Sequence, residues 1–281
     1  MPKRHPKDDL IPSTAFADAW IQVDRTEDPR FFVNVLDATR AQLLERARQA
    51  PTEYFAPLAL SHGLNVLDVG CGTGDLLRLL APLVTPGRAV GIDLSETMIN
   101  EARSRSETSS ANLVFEPGDT LALQFENGAF DRVMASQVLI HIPDPWPALA
   151  EMYRVLAAGG MISITDMDWG TVVVESSHRE LSRRFTQLTC DGLRNGLIAR
   201  ELPGRLRELG FKSIVIHPEV RVDQGLDAFH RWFIEPSLSH FTRIGAVSRA
   251  EADLFLADLE ERATQGRYFS SRTSYSIIAT R

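Results

Sequence analysis

The sequence has no long hydrophobic run and only two cysteines among its 281 residues. No apolar stretch approaches the ~18 residues that a membrane-spanning helix requires, so we expect no membrane span. Basic side chains near the start, within residues 1–9, are not followed by a hydrophobic segment, so we expect no secretory signal. Cys71 and Cys190 offer no disulfide framework, which favours a reducing, cytoplasmic location.

Positive charge is also scarce. The chain carries 30 Lys and Arg residues against 37 Asp and Glu residues, a formal net charge of −7. Binding to a nucleic acid backbone depends on basic surface, so we expect no nucleic acid partner. No cysteine spacing typical of zinc sites occurs, and we expect no bound metal. The hydrophobic share of 44% is enough for a full core, so a soluble globular enzyme is the expected class.

A glycine-rich turn between a predicted strand and a predicted helix is the most informative segment. Residues 66–75 read VLDVGCGTGD, and they lead into an apolar run, LLRLL. Gly70, Gly72 and Gly74 let the backbone bend sharply and let a ligand lie against it. The helix that follows presents free N–H groups and a partial positive charge. This segment predicts a ligand site at the carboxyl end of the first strand.

The spacing of these glycines distinguishes two kinds of nucleotide ligand. A dinucleotide-binding turn of the form G-x-G-x-x-G would have its third glycine at position 75. That position holds Asp75, a poor neighbour for a pyrophosphate, and the turn is G-x-G-x-G instead. We therefore favour a ligand with an ammonium group, and an NAD-dependent oxidoreductase is the less favoured alternative.

This turn resembles the first motif of the class I S-adenosylmethionine (SAM)-dependent methyltransferases. The resemblance covers about residues 63–166, with weaker agreement up to position 216. A second predicted strand ends at Asp93, 21 positions after Gly72, where a carboxylate can accept hydrogen bonds from the ribose hydroxyls. In the next helix, Met98 would face the adenine, although packing in the core is an equally good interpretation.

Two later motifs occur in the order that this family has them. The segment EPGDT at residues 116–120 interrupts a third predicted strand with proline and glycine. A fourth predicted strand runs to about Ala135 and opens into a loop, which the resemblance places beside the sulfonium and the acceptor. Position by position, the resemblance implies cofactor contacts from Asp68, Gly70, Cys71, Gly72, Thr73 and Gly74 at the methionine moiety, Asp93, Leu94 and Met98 at the nucleoside, Gly118, Asp119 and Thr120 at the adenine, and Ser136 and Gln137 near the methyl group.

Two residues are candidate general bases. His141 follows the fourth predicted strand and Asp166 ends the fifth, at the edge of the sheet where open α/β folds bind their ligands. Histidine titrates near neutrality and suits proton abstraction from an alcohol, a phenol or an activated carbon. A purely structural role in the loop is the competing interpretation of His141, and Asp166 has a similar standing.

The fold that the resemblance implies is α/β, with a seven-stranded, mostly parallel Rossmann-like sheet, helices on both faces and an antiparallel last strand. The expected organisation is a disordered N-terminus at 1–12, a helical cap at 13–60, a core at 61–222 with a helical insert at about 168–198, a helical lid at 223–266, and a final core strand at 267–281. In the cap, the apolar spacing predicts a helix over 29–49. In the lid, Phe229, Trp232 and Phe233 share one helix face, which either packs on the sheet or lines the acceptor pocket.

We therefore expect a SAM-dependent methyltransferase that acts on a small, largely apolar metabolite, similar to the ubiquinone/menaquinone and natural-product methyltransferases. Whether oxygen, nitrogen or carbon is methylated stays open. A monomer and a homodimer are both compatible with the sequence. The main alternative is a SAM-binding protein that serves as a scaffold or performs a reaction other than transfer.

Overall fold

The computed structural model describes residues 19–106 and 111–281, and a seven-stranded sheet organises them. The order across the sheet is β3-β2-β1-β4-β5-β7-β6. Strand β7 is antiparallel to both of its neighbours, and the remaining strand pairs are parallel. This confirms the predicted fold class. The strands are β1 (Val66–Val69), β2 (Ala89–Asp93), β3 (Leu113–Pro117), β4 (Phe130–Ser136), β5 (Leu156–Val174), β6 (Lys212–Asp223) and β7 (Ser270–Thr280).

Helices cover the sheet and enclose its carboxyl edge. They are α1 (Pro29–Gln49), α2 (Pro51–Tyr54), α3 (Asp75–Val84), α4 (Glu96–Ser104), α5 (Trp146–Val155), α6 (Arg179–Gly192), α7 (Ile198–Glu208), α8 (Glu235–Arg243) and α9 (Arg249–Thr264). A short π-helical segment, His230–Ile234, precedes α8. In the described part of the chain, none of these helices is long and apolar enough to cross a membrane.

Strand β1 is buried along its whole length, which explains its nearly continuous apolar sequence. Two clusters of buried side chains lie on the sheet: one includes Leu77 and Leu80 of α3, and the other Leu149 and Met152 of α5. A central strand that is covered on both faces places its carboxyl end at a protected edge, where the glycine turn, residues 70–74, begins.

The cap helix α1 has the bounds that the sequence predicts. Asp28 caps its first turn by accepting a hydrogen bond from the Phe31 amide at 3.3 Å. It ends at Gln49, before Pro51 begins the next helix. The side chains of Phe32 and Leu44 are buried, so the apolar stripe fastens α1 to the rest of the fold. The predicted disorder of residues 1–12 lies outside the described residues.

The expected helical insert at about 168–198 is wrong in its first part. Strand β5 continues to Val174 and pairs with β7, with a register irregularity between Asp168 and Val173. The extension exists because β7, which starts at Ser270, offers a pairing partner for the extra residues. The helical part of the insert is α6, which starts at Arg179.

Candidate active site

A cavity of about 860 Å³, the main cavity, opens at the carboxyl ends of β1, β2, β4 and β5. Open α/β sheets bind their ligands at this edge, because the loops that leave the strands diverge there. The glycine turn and Asp93 line one end of the main cavity. Side chains of α1 and of the segment 227–241 enclose the rest. The parts of the chain that the sequence analysis singled out therefore share one space.

The three glycines of the turn have positive φ angles but different functions. Gly70 and Gly72 line the main cavity, with φ of 70° and 55°. A Cβ on Gly72 would meet only Leu36 of the cap helix, at 3.1 Å, so a side chain there would fill the space between the turn and α1. A Cβ on Gly74 would lie 2.4 Å from the Phe115 ring, so this glycine permits packing of α3 against β3.

Asp93 ties the ends of β1 and β2 together at the wall of the main cavity. Its Oδ2 accepts a hydrogen bond from the Gly72 amide at 2.8 Å, and its Oδ1 accepts one from the Ser95 amide at 3.0 Å. Burial raises the pKa of Asp93, and these two amides lower it in part. Each carboxylate oxygen has more than one lone pair, so Asp93 can still accept hydrogen bonds from ligand hydroxyls.

A buried carboxyl and an arginine lie behind the floor of the cavity. Burial raises the pKa of Asp68 to about 7, while the Arg40 guanidinium opposes this rise. Arg40 belongs to α1, lines the main cavity and donates a hydrogen bond to the Ser136 carbonyl at 3.0 Å. Sequence reasoning missed Arg40, because an arginine on the polar face of a helix carries no signal until the helix is placed over the sheet.

The predicted adenine residues divide into two groups. Leu94, Met98 and Thr120 line the main cavity. Met98 is also buried in a small cluster with side chains of the cap, so both interpretations of this residue are compatible with its place. Gly118 and Asp119 do not line the main cavity. Asp119 is exposed, and its Oδ1 accepts a hydrogen bond from the Leu121 amide at 2.8 Å.

Three side chains at the start of α3 are directed away from the main cavity. Cys71 is buried in the apolar cluster beneath the turn. The Thr73 hydroxyl donates to Asp75 Oδ2 at 2.7 Å, and Arg78 forms a close ion pair with the other oxygen of Asp75. The charge of Asp75 is therefore compensated inside the fold. The expectation that Asp75 would repel a pyrophosphate is therefore wrong, because this carboxylate does not line the main cavity.

The loop after β4 forms the floor of the main cavity. Ser136 and Gln137 both line it. Gln137 has a φ of 59°, a left-handed conformation that is uncommon outside glycine. Its amide donates to the Thr165 carbonyl of β5 at 2.7 Å, which holds the loop against the neighbouring strand.

His141 reaches the main cavity from this loop. Its ring stacks on the Trp20 ring with the centroids 5.4 Å apart. Its Nδ1 is buried and has no hydrogen-bond partner among the described residues. Burial lowers the pKa of His141 to about 4, and the Arg40 guanidinium acts in the same direction. The imidazole is therefore neutral at physiological pH.

Asp166 does not line the main cavity. Its side chain is completely buried under the loop that carries His141. Burial raises the pKa of Asp166 to about 8, although the backbone amides of Leu139 and Ile140 lie close enough to oppose the rise. Neither carboxyl oxygen has a hydrogen-bond partner of ordinary geometry in the described part of the chain. At neutral pH Asp166 is therefore a neutral acid.

The far end of the main cavity has an aromatic wall, Trp169, Phe229 and Phe233. The ring of Phe233 lies 5.4 Å from each of the other two rings, measured between centroids. Trp232 also lines the cavity, and its ring lies 5.2 Å from that of Phe31 in the cap. All three lid aromatics of the sequence analysis therefore line the cavity, and the lid meets the cap across it.

The sequence matches the family described as methyltransferase domain over residues 60–208. The chain belongs to this family. The match spans the glycine turn, Asp93 and His141, which are the residues that build the main cavity. S-adenosylmethionine is the cofactor, as the sequence predicts, and the donors fit it: a glycine cradle open at Gly72, and a carboxylate at Asp93 with free acceptor capacity.

Relatives of this methyltransferase include bacterial proteins. An uncharacterized 37.1 kDa protein in transposon TN4556 of Streptomyces fradiae is 33% identical over 238 residues, which cover 84% of this chain and 68% of that protein. The demethylmenaquinone methyltransferase of Lactococcus lactis subsp. lactis (strain IL1403) is 38% identical over 121 residues, 42% of this chain. The match spans 44% of the length of that enzyme.

The solved structure of a SAM-dependent methyltransferase from Archaeoglobus fulgidus has the same fold. Its TM-score is 0.56 at 18% identity, over 89% of this chain and 99% of that chain. This likeness supports the fold of the methyltransferase.

Proposed function

We propose that this protein transfers the methyl group of SAM to a small, largely apolar metabolite. The observation that carries the proposal is the continuity of the main cavity, which joins the glycine turn to the aromatic wall within about 860 Å³. Small-molecule sites have volumes of roughly 300–1,000 Å³. This space is suited to a cofactor and a small acceptor side by side.

The cofactor is assigned to the end of the cavity nearest the glycine turn. In the proposal, Asp68 and the backbone of residues 70–74 hold the methionine moiety, with Cys71 and Thr73 contributing main-chain atoms only. Asp93 accepts from the ribose hydroxyls, and Leu94, Met98 and Thr120 enclose the adenine. Gly118 approaches through its backbone, and Asp119 keeps Oδ2 for the adenine amino group, because Oδ1 already accepts from Leu121.

SAM supplies a methyl group on a sulfonium; as the new bond to the acceptor forms, the carbon–sulfur bond breaks and its electron pair stays on sulfur. The protein then has to align the acceptor and exclude water, which alone contributes several kcal/mol. Ser136 and Gln137 provide the floor for this alignment. The aromatic wall removes water from the acceptor side, since it presents apolar rings instead of polar partners.

Where the acceptor must lose a proton, His141 is the proposed base. It lines the main cavity and is uncharged above about pH 4, so it can accept a proton at neutral pH. The Nδ1 atom is buried without a hydrogen-bond partner among the described residues, so we assign the acceptor role to Nε2. Asp166 is protonated below about pH 8 and lies outside the cavity. We therefore assign Asp166 to holding the loop of His141 in place rather than to proton abstraction.

A cytoplasmic location is also part of the proposal, because both cysteines are free thiols.

The test of methyl transfer is incubation of the full chain with methyl-labelled SAM and a small-molecule cell extract. We expect label in a small organic product, and the position of the label in that product shows whether O, N or C is methylated. Binding of SAM with no transfer to any fraction would instead favour the scaffold alternative. NADH binding tighter than SAM in calorimetry would favour the oxidoreductase.

A further inference from the structure

The end of the main cavity farthest from the glycine turn carries a pair of arginines. Arg221 of β6 lies directly opposite Arg272 of β7 in the register of the sheet. Cross-strand partners share a face, so both side chains point the same way, and both line the main cavity. Like charges in this arrangement repel each other, so the pair needs compensating negative charge.

Only one of the two arginines finds that compensation within the fold. Arg272 is buried and forms a close ion pair with Asp223, and its guanidinium lies 4.0 Å from the centre of the Phe229 ring. Arg221 donates to the Thr39 carbonyl at 2.9 Å, but none of the described carboxylates lies within 4 Å of it. Arg221 is therefore a half-buried cation whose only hydrogen-bond partner among the described residues is a neutral carbonyl.

The neighbouring acids Glu219, Asp223 and Asp227 raise the pKa of Arg221, but none of them forms an ion pair with it. Glu219, which also lines the cavity, is paired with Arg46 of the cap helix at 2.7 Å. Asp227 also lines the cavity, and burial and a hydrogen bond with Asp223 raise its pKa. Burial lowers the pKa of Arg221, and the charge of Arg272 adds to this effect, but a guanidinium remains protonated at neutral pH. A guanidinium without an ion-pair partner among the described residues therefore faces the ligand space.

The same part of the cavity is polar on one side and apolar on the other. Ser274 and Ser276 of β7 line the cavity on the side of Arg221. The aromatic wall lies on the other side, with Phe229 beneath Arg272. Arg221 on β6 lies three strand spacings across the sheet from Ser136 at the end of β4 and four residues further along its strand, a separation of roughly 19 Å. A molecule that filled this space would be amphipathic, with its ends well separated.

We propose that the methyl acceptor is an organic anion, whose apolar body lies on the aromatic wall and whose acidic group pairs with Arg221. This inference rests on the proposed function, because it assumes that the acceptor occupies the end of the cavity away from the glycine turn. The acidic group is held far from the methyl transfer position at Ser136. The methylated product therefore keeps its negative charge.

Two fluorescent probes with the same ring system test the charge preference. 8-Anilino-1-naphthalenesulfonate carries a sulfonate, and N-phenyl-1-naphthylamine lacks it. With S-adenosylhomocysteine present, we expect Arg221→Gln to weaken binding of the sulfonate probe by about 10- to 100-fold. This range corresponds to the loss of one or two charge-assisted hydrogen bonds between the guanidinium and the sulfonate. Binding of the neutral probe should stay within about twofold of wild type, because its apolar contacts are unchanged.

Arg249→Gln is the matched control. Arg249 is an exposed arginine of α9 that pairs with Asp253, far from the cavity lining, and its loss should change neither probe. Arg221→Lys keeps the charge and should lose less affinity than Arg221→Gln. If Arg221→Gln does not fold, the lysine variant and the salt dependence of the wild type carry the test, since salt should weaken the sulfonate probe and spare the neutral one.

Equal weakening of both probes by Arg221→Gln, or weakening of neither, overturns the inference. A parallel loss of affinity for S-adenosylhomocysteine would also overturn it, because Arg221 would then belong to the cofactor pocket. The proposed function fails separately. Probe discrimination without any transfer of label from SAM would refute methyl transfer and keep the anion site. A labelled product that is not retained on an anion-exchange column would keep methyl transfer and refute the anionic acceptor.

Discussion

Replacing Asp166 with asparagine should make this methyltransferase more stable at neutral pH. Burial raises the pKa of this carboxyl from 3.8 to about 8 in the folded protein. Between these two values the unfolded chain has released the proton and the folded chain keeps it. The free energy of unfolding therefore falls as the pH rises through this window, by about 1.4 kcal/mol for each pH unit. Above pH 8 the contribution no longer changes.

An asparagine has nearly the same shape and does not titrate. The free energy of unfolding of Asp166→Asn minus that of the wild type should therefore increase by about 3 kcal/mol between pH 5 and pH 7. Urea unfolding at a series of pH values measures this difference, and other titrating groups cancel in it. Asp191→Asn, at an exposed position of α6, is the control for the chemical change from aspartate to asparagine.

A difference that stays constant between pH 5 and pH 7 would refute the reasoning, because Asp166 would then be ionised in the folded protein. Activity adds a second measurement. If Asp166 only holds the loop of His141, Asp166→Asn should retain methyl transfer at pH 7. A loss of turnover of about 100-fold or more, with SAM affinity unchanged, would instead make Asp166 the base.

Four further predictions concern the glycine turn, the cofactor and catalysis. Asp93→Asn should weaken S-adenosylhomocysteine binding by roughly 2–3 kcal/mol in calorimetry, since hydrogen bonds to a charged acceptor are lost, and it should also lower the unfolding temperature, because asparagine has only one oxygen to accept from the Gly72 and Ser95 amides. Because Asp68 has a pKa of about 7, binding of the cationic cofactor at pH 7 should release about half a proton. This release should appear as a dependence of the binding enthalpy on the buffer, and Asp68→Asn should abolish that dependence. His141→Ala should lower turnover by about 10²–10⁴-fold with SAM affinity unchanged. The acidic limb of the wild-type pH profile should lie near pH 4. A fall in SAM affinity equal to the fall in turnover would make His141 part of the cofactor pocket. Gly74→Ala should destabilise the protein, because the added Cβ would meet the Phe115 ring at 2.4 Å. Gly204→Ala is the control and should be tolerated, because a Cβ there meets nothing within 4 Å. Similar unfolding temperatures for both variants would contradict the packing role of Gly74.

Local patterns in the sequence were sufficient for the family resemblance, and the resemblance implied the fold and the cofactor. The alternating glycines, the acidic end of β2 and the apolar strands are short-range features, and each one reflects a backbone requirement that a few adjacent residues satisfy. The bounds of α1 followed in the same way from its apolar spacing and from Pro51. The extension of β5 to Val174 did not, because it depends on pairing with β7, about a hundred positions later in the chain.

Only the tertiary structure decided which side chains face the ligand. Asp75 and Asp166 are both acids near the expected site, yet one is paired with Arg78 and the other is buried below the loop. Arg40 and Arg221 carry no motif, and they reach the main cavity because α1 crosses the sheet edge and β6 runs beside β7. Sequence determines what a short segment can bind through its backbone. The direction and charge state of a side chain depend on neighbours that are distant in the chain, and these exist only once the protein is folded.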